Sequence, residues 1–220
     1  MSNKITKSTK NVLITITALT LVIVLMTSYF CFNITNPFSR FIEKQTTLNR
    51  GYYGFYSSAY RQTEEMLEQD LEAVRLATET RTADDVALFK ETDLDIIAPF
   101  KRLLPEESTS SKVSMYLTVY NPLLHLTTGI LKLYYNRARP YQLADIQILE
   151  NKTAKTPSYP SGHALQAFAL SKRLTKKYPE KAVEIQELAE QIADVRKIGG
   201  VHYPSDKEYS RYLATRLPWI

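Results

Sequence analysis

Cysteine occurs once in this 220-residue chain, as Cys31, which excludes an intrachain disulfide as a source of stability. No Cys/His cluster has metal-site spacing, and there is no glycine-rich nucleotide loop, internal repeat or low-complexity tract. No stretch alternates apolar and polar residues with a period of two for long enough to form a half-buried strand, which argues against a sheet. Lysine and arginine are plentiful but scattered. The net charge of +5 and a sequence pI near 9.1 suit an anionic substrate or lipid headgroups, while the lack of a basic block argues against nucleic acid as a partner.

One long apolar run is present. Residues 11–32 are almost wholly apolar with small hydroxyl residues interspersed, and they follow Lys4, Lys7 and Lys10 with no acid among them. Such a length spans a bilayer as a single transmembrane helix, and no small-x-small cleavage pattern follows Met26, so an uncleaved anchor is expected rather than a removed signal peptide. The lysines would stay cytoplasmic, which places the remainder on the extracytoplasmic side, whether periplasmic, lumenal or extracellular. The expected division is residues 1–33 as cytoplasmic lysines and anchor, 34–60 as an aromatic-rich connector, and 61–220 as one globular domain. With 44% apolar and 23% charged residues the chain has enough apolar surface for one sizeable core.

Within that domain the periodicity is helical. Residues 62–79 place Met66, Leu67, Leu71 and Val74 at helical spacing among acids, and 82–89 predict a short second helix. The segment 113–135 is the most apolar after the anchor. Asn121, Pro122 and His125 interrupt it and Lys132 lies near its end, so it reads as a buried helix rather than a second span, with His125 a core or capping residue without chemistry. Residues 164–195 carry too many charges to cross a bilayer, and Pro179 divides them into two amphipathic helices.

Three stretches carry chemistry. From Arg196 to Asp206 a cation, the imidazole of His202 and a carboxylate surround the pair Gly199 and Gly200, which can end one helix, while Pro204 suits the first turn of the next. A helix starting near His202 puts Asp206 one turn on, where its carboxylate can hold one ring nitrogen and leave the other free as nucleophile or base. Pro160, Ser161, Gly162 and His163 form a helix start whose unpaired amides make an anion site beside His163. Lys132 and Arg139, seven residues apart, are expected on one helix face just before Pro140. Taken singly, each has an ordinary reading: Asp206 as a cap, Ser161 as a cap, Lys132 and Arg139 as a solvated face.

In order and spacing, Lys132 with Arg139 and Pro140, then Pro160 to His163, then Arg196 with His202 and Asp206 resemble the three-part signature of the type 2 phosphatidic acid phosphatase superfamily. That group includes class A bacterial acid phosphatases, lipid phosphatases and vanadium haloperoxidases. The resemblance runs from Lys132 to Asp206 and departs at Val195, where the family usually has serine. It implies an all-α helical bundle of the acid phosphatase/vanadium haloperoxidase type, with a site assembled at helix ends. It also implies a metal-independent phosphatase without cofactor, acting on a phosphorylated small molecule or a lipid phosphate. By that resemblance His202 attacks phosphorus to give a phosphohistidine, Asp206 orients it, and His163 protonates the leaving oxygen. Lys132, Arg139, Ser161, Gly162 and Arg196 hold the phosphate. A neutral nucleophile beside a protonated acid implies imidazoles tuned in opposite directions and a bell-shaped pH profile. The rival readings are a vanadium-dependent haloperoxidase and a non-catalytic phosphate-binding domain tethered to the membrane.

Overall fold

The computed structural model describes residues 63–104 and 120–217. The expected anchor, the aromatic connector and residues 113–119 of the apolar segment lie outside the described residues. Among those described, every regular element is helical: α1 (Glu64–Glu79), α2 (Ala83–Leu94), α3 (Ala98–Leu103), α4 (Asn121–Tyr135), α5 (Pro140–Leu143), α6 (Gly162–Lys177), α7 (Ala182–Ile198) and α8 (Pro204–Arg216), with a 3-10 turn at Pro179–Lys181. No helix among the described residues is long and apolar enough to cross a membrane.

Local chemistry sets the helix boundaries. Thr63 caps α1 by accepting from the Met66 amide, and Thr82 and Asp85 form a reciprocal box at the start of α2. Asn121, Pro122 and His125, expected to interrupt this segment, all lie within α4, with Pro122 in its first turn. Pro179 separates α6 from α7 as the sequence predicts.

Helix α6 is the centre of the bundle. All residues from Ala164 to Ser171 are buried, which a helix achieves only when covered on every side. Its core partners are Ile185, Ala189 and Ile192 of α7, Leu124 of α4, Phe100 of α3 and Ala214 of α8. A second cluster joins Leu71 and Val74 of α1 to Ile146 and Tyr203, and a third gathers Phe89, Ala154, Val195 and Val201.

The turn from α7 to α8 is closely packed. Gly199 caps α7, and Gly200 takes φ +75°, a conformation side chains resist. A β-carbon on Gly199 would lie 2.1 Å from the Cε2 atom of Phe89, whose ring is wholly buried. Gly199→Ala is therefore expected to destabilise the protein by about 1–3 kcal/mol through overpacking, read as a lower urea midpoint with an unchanged slope. An unchanged midpoint would show that Phe89 relaxes freely.

One expected helix face does not exist. α4 ends at Tyr135, and Asn136 turns left-handed (φ 43°), donating its amide to the Lys132 carbonyl at 2.9 Å. Arg139 follows in extended conformation (φ −81°, ψ 158°), as a residue before proline prefers. Lys132 and Arg139 reach the same region by different backbone paths, not by sharing a helical stripe.

Candidate active site

The starts of α6 and α8 are joined at their first turns. Ser161 caps α6, accepting from the Ala164 amide at 3.4 Å, and its own amide donates to the Asp206 carbonyl, also at 3.4 Å. The Ser210 hydroxyl shares one proton between the carbonyls of Ser161 (2.9 Å) and Asp206 (2.7 Å). Two positive helix ends thereby face one region. A β-carbon on Gly162 would meet only Thr128 at an ordinary 3.5 Å, so protein packing alone does not demand glycine there.

His202 precedes α8 and is buried. Its Nδ1 lies 2.8 Å from Asp206 Oδ2, an oxygen that also accepts the Tyr203 amide at 3.0 Å. Its Nε2 lies 3.3 Å from Arg139 Nη1. An ionised carboxylate only accepts and a guanidinium only donates, so these two partners together define a neutral ring carrying its proton on Nδ1 and a lone pair on Nε2.

Arg139 meets that lone pair, Lys132 is near enough to act on the His202 charge, and Arg196 acts on Arg139 and on His163. Arg139 is held by carbonyls, with Nε donating to Thr156 at 2.7 Å and Nη1 to Val201 at 2.6 Å. Lys132 spends two of its three donors on the carbonyls of Pro157 and Ser158. Arg196 is only 1% exposed, lies 3.7 Å over the Phe89 ring, and donates Nη2 to Asp93 at 3.4 Å. Its Nε and Nη1 are buried with no hydrogen-bond partner among the described residues. Two orphaned donors on a desolvated cation are costly unless an anion completes them.

His163, in the first turn of α6, retains 16% side-chain exposure, and its Nε2 lies 4.0 Å from Asp93 Oδ1. Asp93, on α2, was not legible as a site residue in the sequence. It accepts the Thr153 hydroxyl at 2.6 Å and the Lys152 amide at 2.7 Å, tying the 150–156 loop to Arg196. Arg137 was also missed. It donates to Asp206 Oδ1 at 2.6 Å and to Asp70 Oδ2 of α1 at 2.8 Å. His125 lies beside the region, its Nε2 2.8 Å from the Gln166 amide nitrogen. Val195 packs with Phe89, Ala154 and Val201, so its side chain is committed to an apolar cluster.

Burial and like charge set the protonation. Burial, with Arg196 and His202 nearby, pushes His163 well below the ordinary histidine value. Burial and Arg139 push His202 down as well, against the pull of Asp206. Both rings are therefore pushed the same way, by burial first and by neighbouring cations second, and not in the opposite directions expected. Burial likewise lowers Lys132, reinforced by Arg139, and takes Arg196 down to about 9, opposed by Asp93. Burial works against the Asp206 carboxylate, but Arg137, the His202 ring and the Tyr203 amide outweigh it and hold the carboxyl well below its usual range.

A pH prediction follows from these directions. Below about pH 6.5 the unfolded chain protonates its histidines while the native rings resist, so the unfolded state binds more protons and native stability falls with acidification. Each ring that stays neutral costs about 1.4 kcal/mol per pH unit in that window. Asp206 adds the same sign only below its ordinary value near 3.8. The ligand-free protein should lose melting temperature from pH 7 to pH 5, and saturating inorganic phosphate should flatten the loss by supplying the missing negative charge. A flat ligand-free profile would contradict the assignment.

Residues 114–220 match the family model of the PAP2 superfamily. The matched segment contains the three stretches from Lys132 to Asp206 that carry the resemblance. The chain is 33% identical over 93 residues to non-specific acid phosphatases of Salmonella typhimurium and Salmonella typhi, covering 40% of this chain and 37% of each relative. The match thus spans well under half of those relatives' length. The structure is similar to the crystal structure of the first transmembrane PAP2 type phosphatidylglycerolphosphate phosphatase from Bacillus subtilis, with TM-score 0.50 and 16% identity over 80% of this chain and 90% of that one. At that identity the likeness establishes the fold, an all-helical one.

Proposed function

We propose that this protein is a metal-independent phosphatase that hydrolyses phosphate monoesters or lipid phosphates through a phosphohistidine on His202. The observation that carries the reading is the Nε2 lone pair of His202, fixed by Asp206 and met by Arg139, close to the buried Arg196, which has two donors without a partner among the described residues. A phosphoryl group brings up to two negative charges, and its transfer needs that charge held while a nucleophile attacks in line.

In the first step Nε2 attacks phosphorus. A P–N bond forms, the P–O bond to the leaving group breaks, and His163, protonated once the dianion is bound, gives its proton to the departing oxygen. Asp206 stabilises the positive charge left on the phosphorylated ring. In the second step water attacks phosphorus, His163 takes its proton, the P–N bond breaks, and inorganic phosphate leaves. Lys132, Arg139, Arg196, the Ser161 hydroxyl and the first amides of α6, near Gly162, hold the phosphoryl oxygens. These fixed cations supply the charge that a divalent metal supplies elsewhere. We also propose that residues 11–32 anchor the domain 61–220 on the extracytoplasmic face of a membrane, with 34–60 as the connector.

One experiment addresses activity, metal and topology together. Intact cells expressing the full-length chain should hydrolyse p-nitrophenyl phosphate added outside, survive excess EDTA without loss of rate, and be inhibited by vanadate, which occupies the transition-state position. Restoration by added divalent ion after EDTA would overturn the metal-independent mechanism. Activity appearing only after lysis would overturn the topology.

A further inference from the structure

Asp206 is fixed at both oxygens. Oδ2 receives the His202 ring and the Tyr203 amide, while Oδ1 receives Arg137 Nη1 at 2.6 Å. The Arg137 side chain is 5% exposed and lies 3.8 Å over the Tyr203 ring. Among the described residues, Nη1 also donates to Ser205 Oγ at 2.8 Å, and Nη2 donates to Asp70 Oδ2 at 2.8 Å. The Ser205 hydroxyl in turn donates to Asp70. A continuous path therefore runs from α1 through Asp70, Arg137 and Asp206 to the Nδ1 of His202.

Such a path does more than pair charges. A carboxylate gripped at one oxygen still swings about its terminal bond, and the ring it holds swings with it. Gripping the second oxygen removes that freedom, and a planar fork does so at a defined angle where a lysine would not. Asp70 grips the other nitrogen of the fork, and it sits on a helix upstream of the segment 114–220 that matches the superfamily. A buried ion pair on its own is weak grounds for assigning stability, so orientation is the better account of why this one is kept.

We propose that Arg137 and Asp70 are positioning residues for His202, acting through Asp206, so that helix α1 is part of the machinery that aims the nucleophilic ring. This rests on the reading of His202 as nucleophile.

The test uses the full-length chain in detergent and the variants Arg137→Gln, Arg137→Lys and Asp70→Asn. For p-nitrophenyl phosphate, kcat should fall by about tenfold to a hundredfold in Arg137→Gln, the size expected when a reacting group is slightly misplaced. Asp70→Asn should show a smaller drop. The affinity for inorganic phosphate should stay within about threefold, because Lys132, Arg139 and Arg196 are untouched. Arg137→Lys should recover part of the lost kcat. With three histidines in the chain, ring ¹⁵N spectra resolve His202 directly. Wild type should show the Nδ1–H tautomer and Arg137→Gln a mixture.

A kcat and ring spectrum like wild type in Arg137→Gln would overturn the proposal, and so would equal losses of kcat and phosphate affinity. If Arg137→Gln fails to fold, Asp70→Asn and Arg137→Lys decide on the same readouts, and wild-type behaviour in both overturns it. If wild type has no phosphatase activity, the functional reading falls by itself. The ring tautomer then decides the positioning claim alone: an unaltered tautomer in the variants overturns it and a mixed one supports it.

Discussion

Replacing His202 with alanine should abolish turnover, a loss of about 10⁴-fold or more, because removing a nucleophile takes away the reaction path rather than one of its supports. The surrounding cage should survive the change. Arg139 keeps its carbonyl partners at Thr156 and Val201, Asp206 keeps the Tyr203 amide and Arg137, and Arg196 keeps Asp93. The variant should therefore still bind inorganic phosphate while forming no covalent species. Rapid mixing of wild type with ³²P-labelled ester, a quench in base, and peptide mapping should place the label on His202, stable in base and lost in acid. A label on serine, or on His163 in the wild type, would refute the nucleophile assignment even if the protein proved to be a phosphatase.

His163→Ala should produce the second large effect, and its size should depend on the substrate. Proton donation to a departing oxygen contributes about 10²- to 10⁴-fold where that oxygen is strongly basic, as in an alkyl phosphate. A nitrophenolate leaves without help, so the same variant should lose far less on p-nitrophenyl phosphate. The geometry favours this role: His163 is the more exposed of the two site rings, 16% against 5% for His202. It stands where a leaving group can depart toward solvent. Equal losses on both ester types would assign His163 to phosphate binding instead of proton transfer.

Much of this site was legible because its parts are local. Pro204, the glycine pair and Ser161 mark helix ends by their own backbone preferences, and the four-residue step from His202 to Asp206 is a helix-turn distance that any sequence reader can count. What was not legible depends on distance along the chain. Arg137 meets Asp70 across 67 residues and Asp206 across 69, and Arg196 meets Asp93 across 103. No periodicity links residues so far apart; only the packing of α1 and α2 against α7 and α8 does. Asp93 reads as one acid among Glu91 and Asp95 on a solvated helix, and Arg137 is hidden between two more obvious cations. The protonation of the rings failed as an inference for a different reason. The reaction needs opposite tuning with substrate present, whereas in the folded chain burial first, and neighbouring cations second, push both imidazoles down.

The left-handed Asn136 also decides what kinds of change the segment between Lys132 and Arg139 can absorb. Lys132 is placed by a helix, Asn136 turns the chain left-handed, and Arg139 is extended three residues further on. One residue inserted before Asn136 would turn the exit of α4 by about 100°, pointing the extended segment away from His202. One inserted after it would move Arg139 along the chain by up to about 3.3 Å, away from the carbonyls that hold it. No repeat of either geometry restores both cations at once. Tyr134, 51% exposed, should accept many side chains in exchange, while the number of residues in this stretch should accept no change at all.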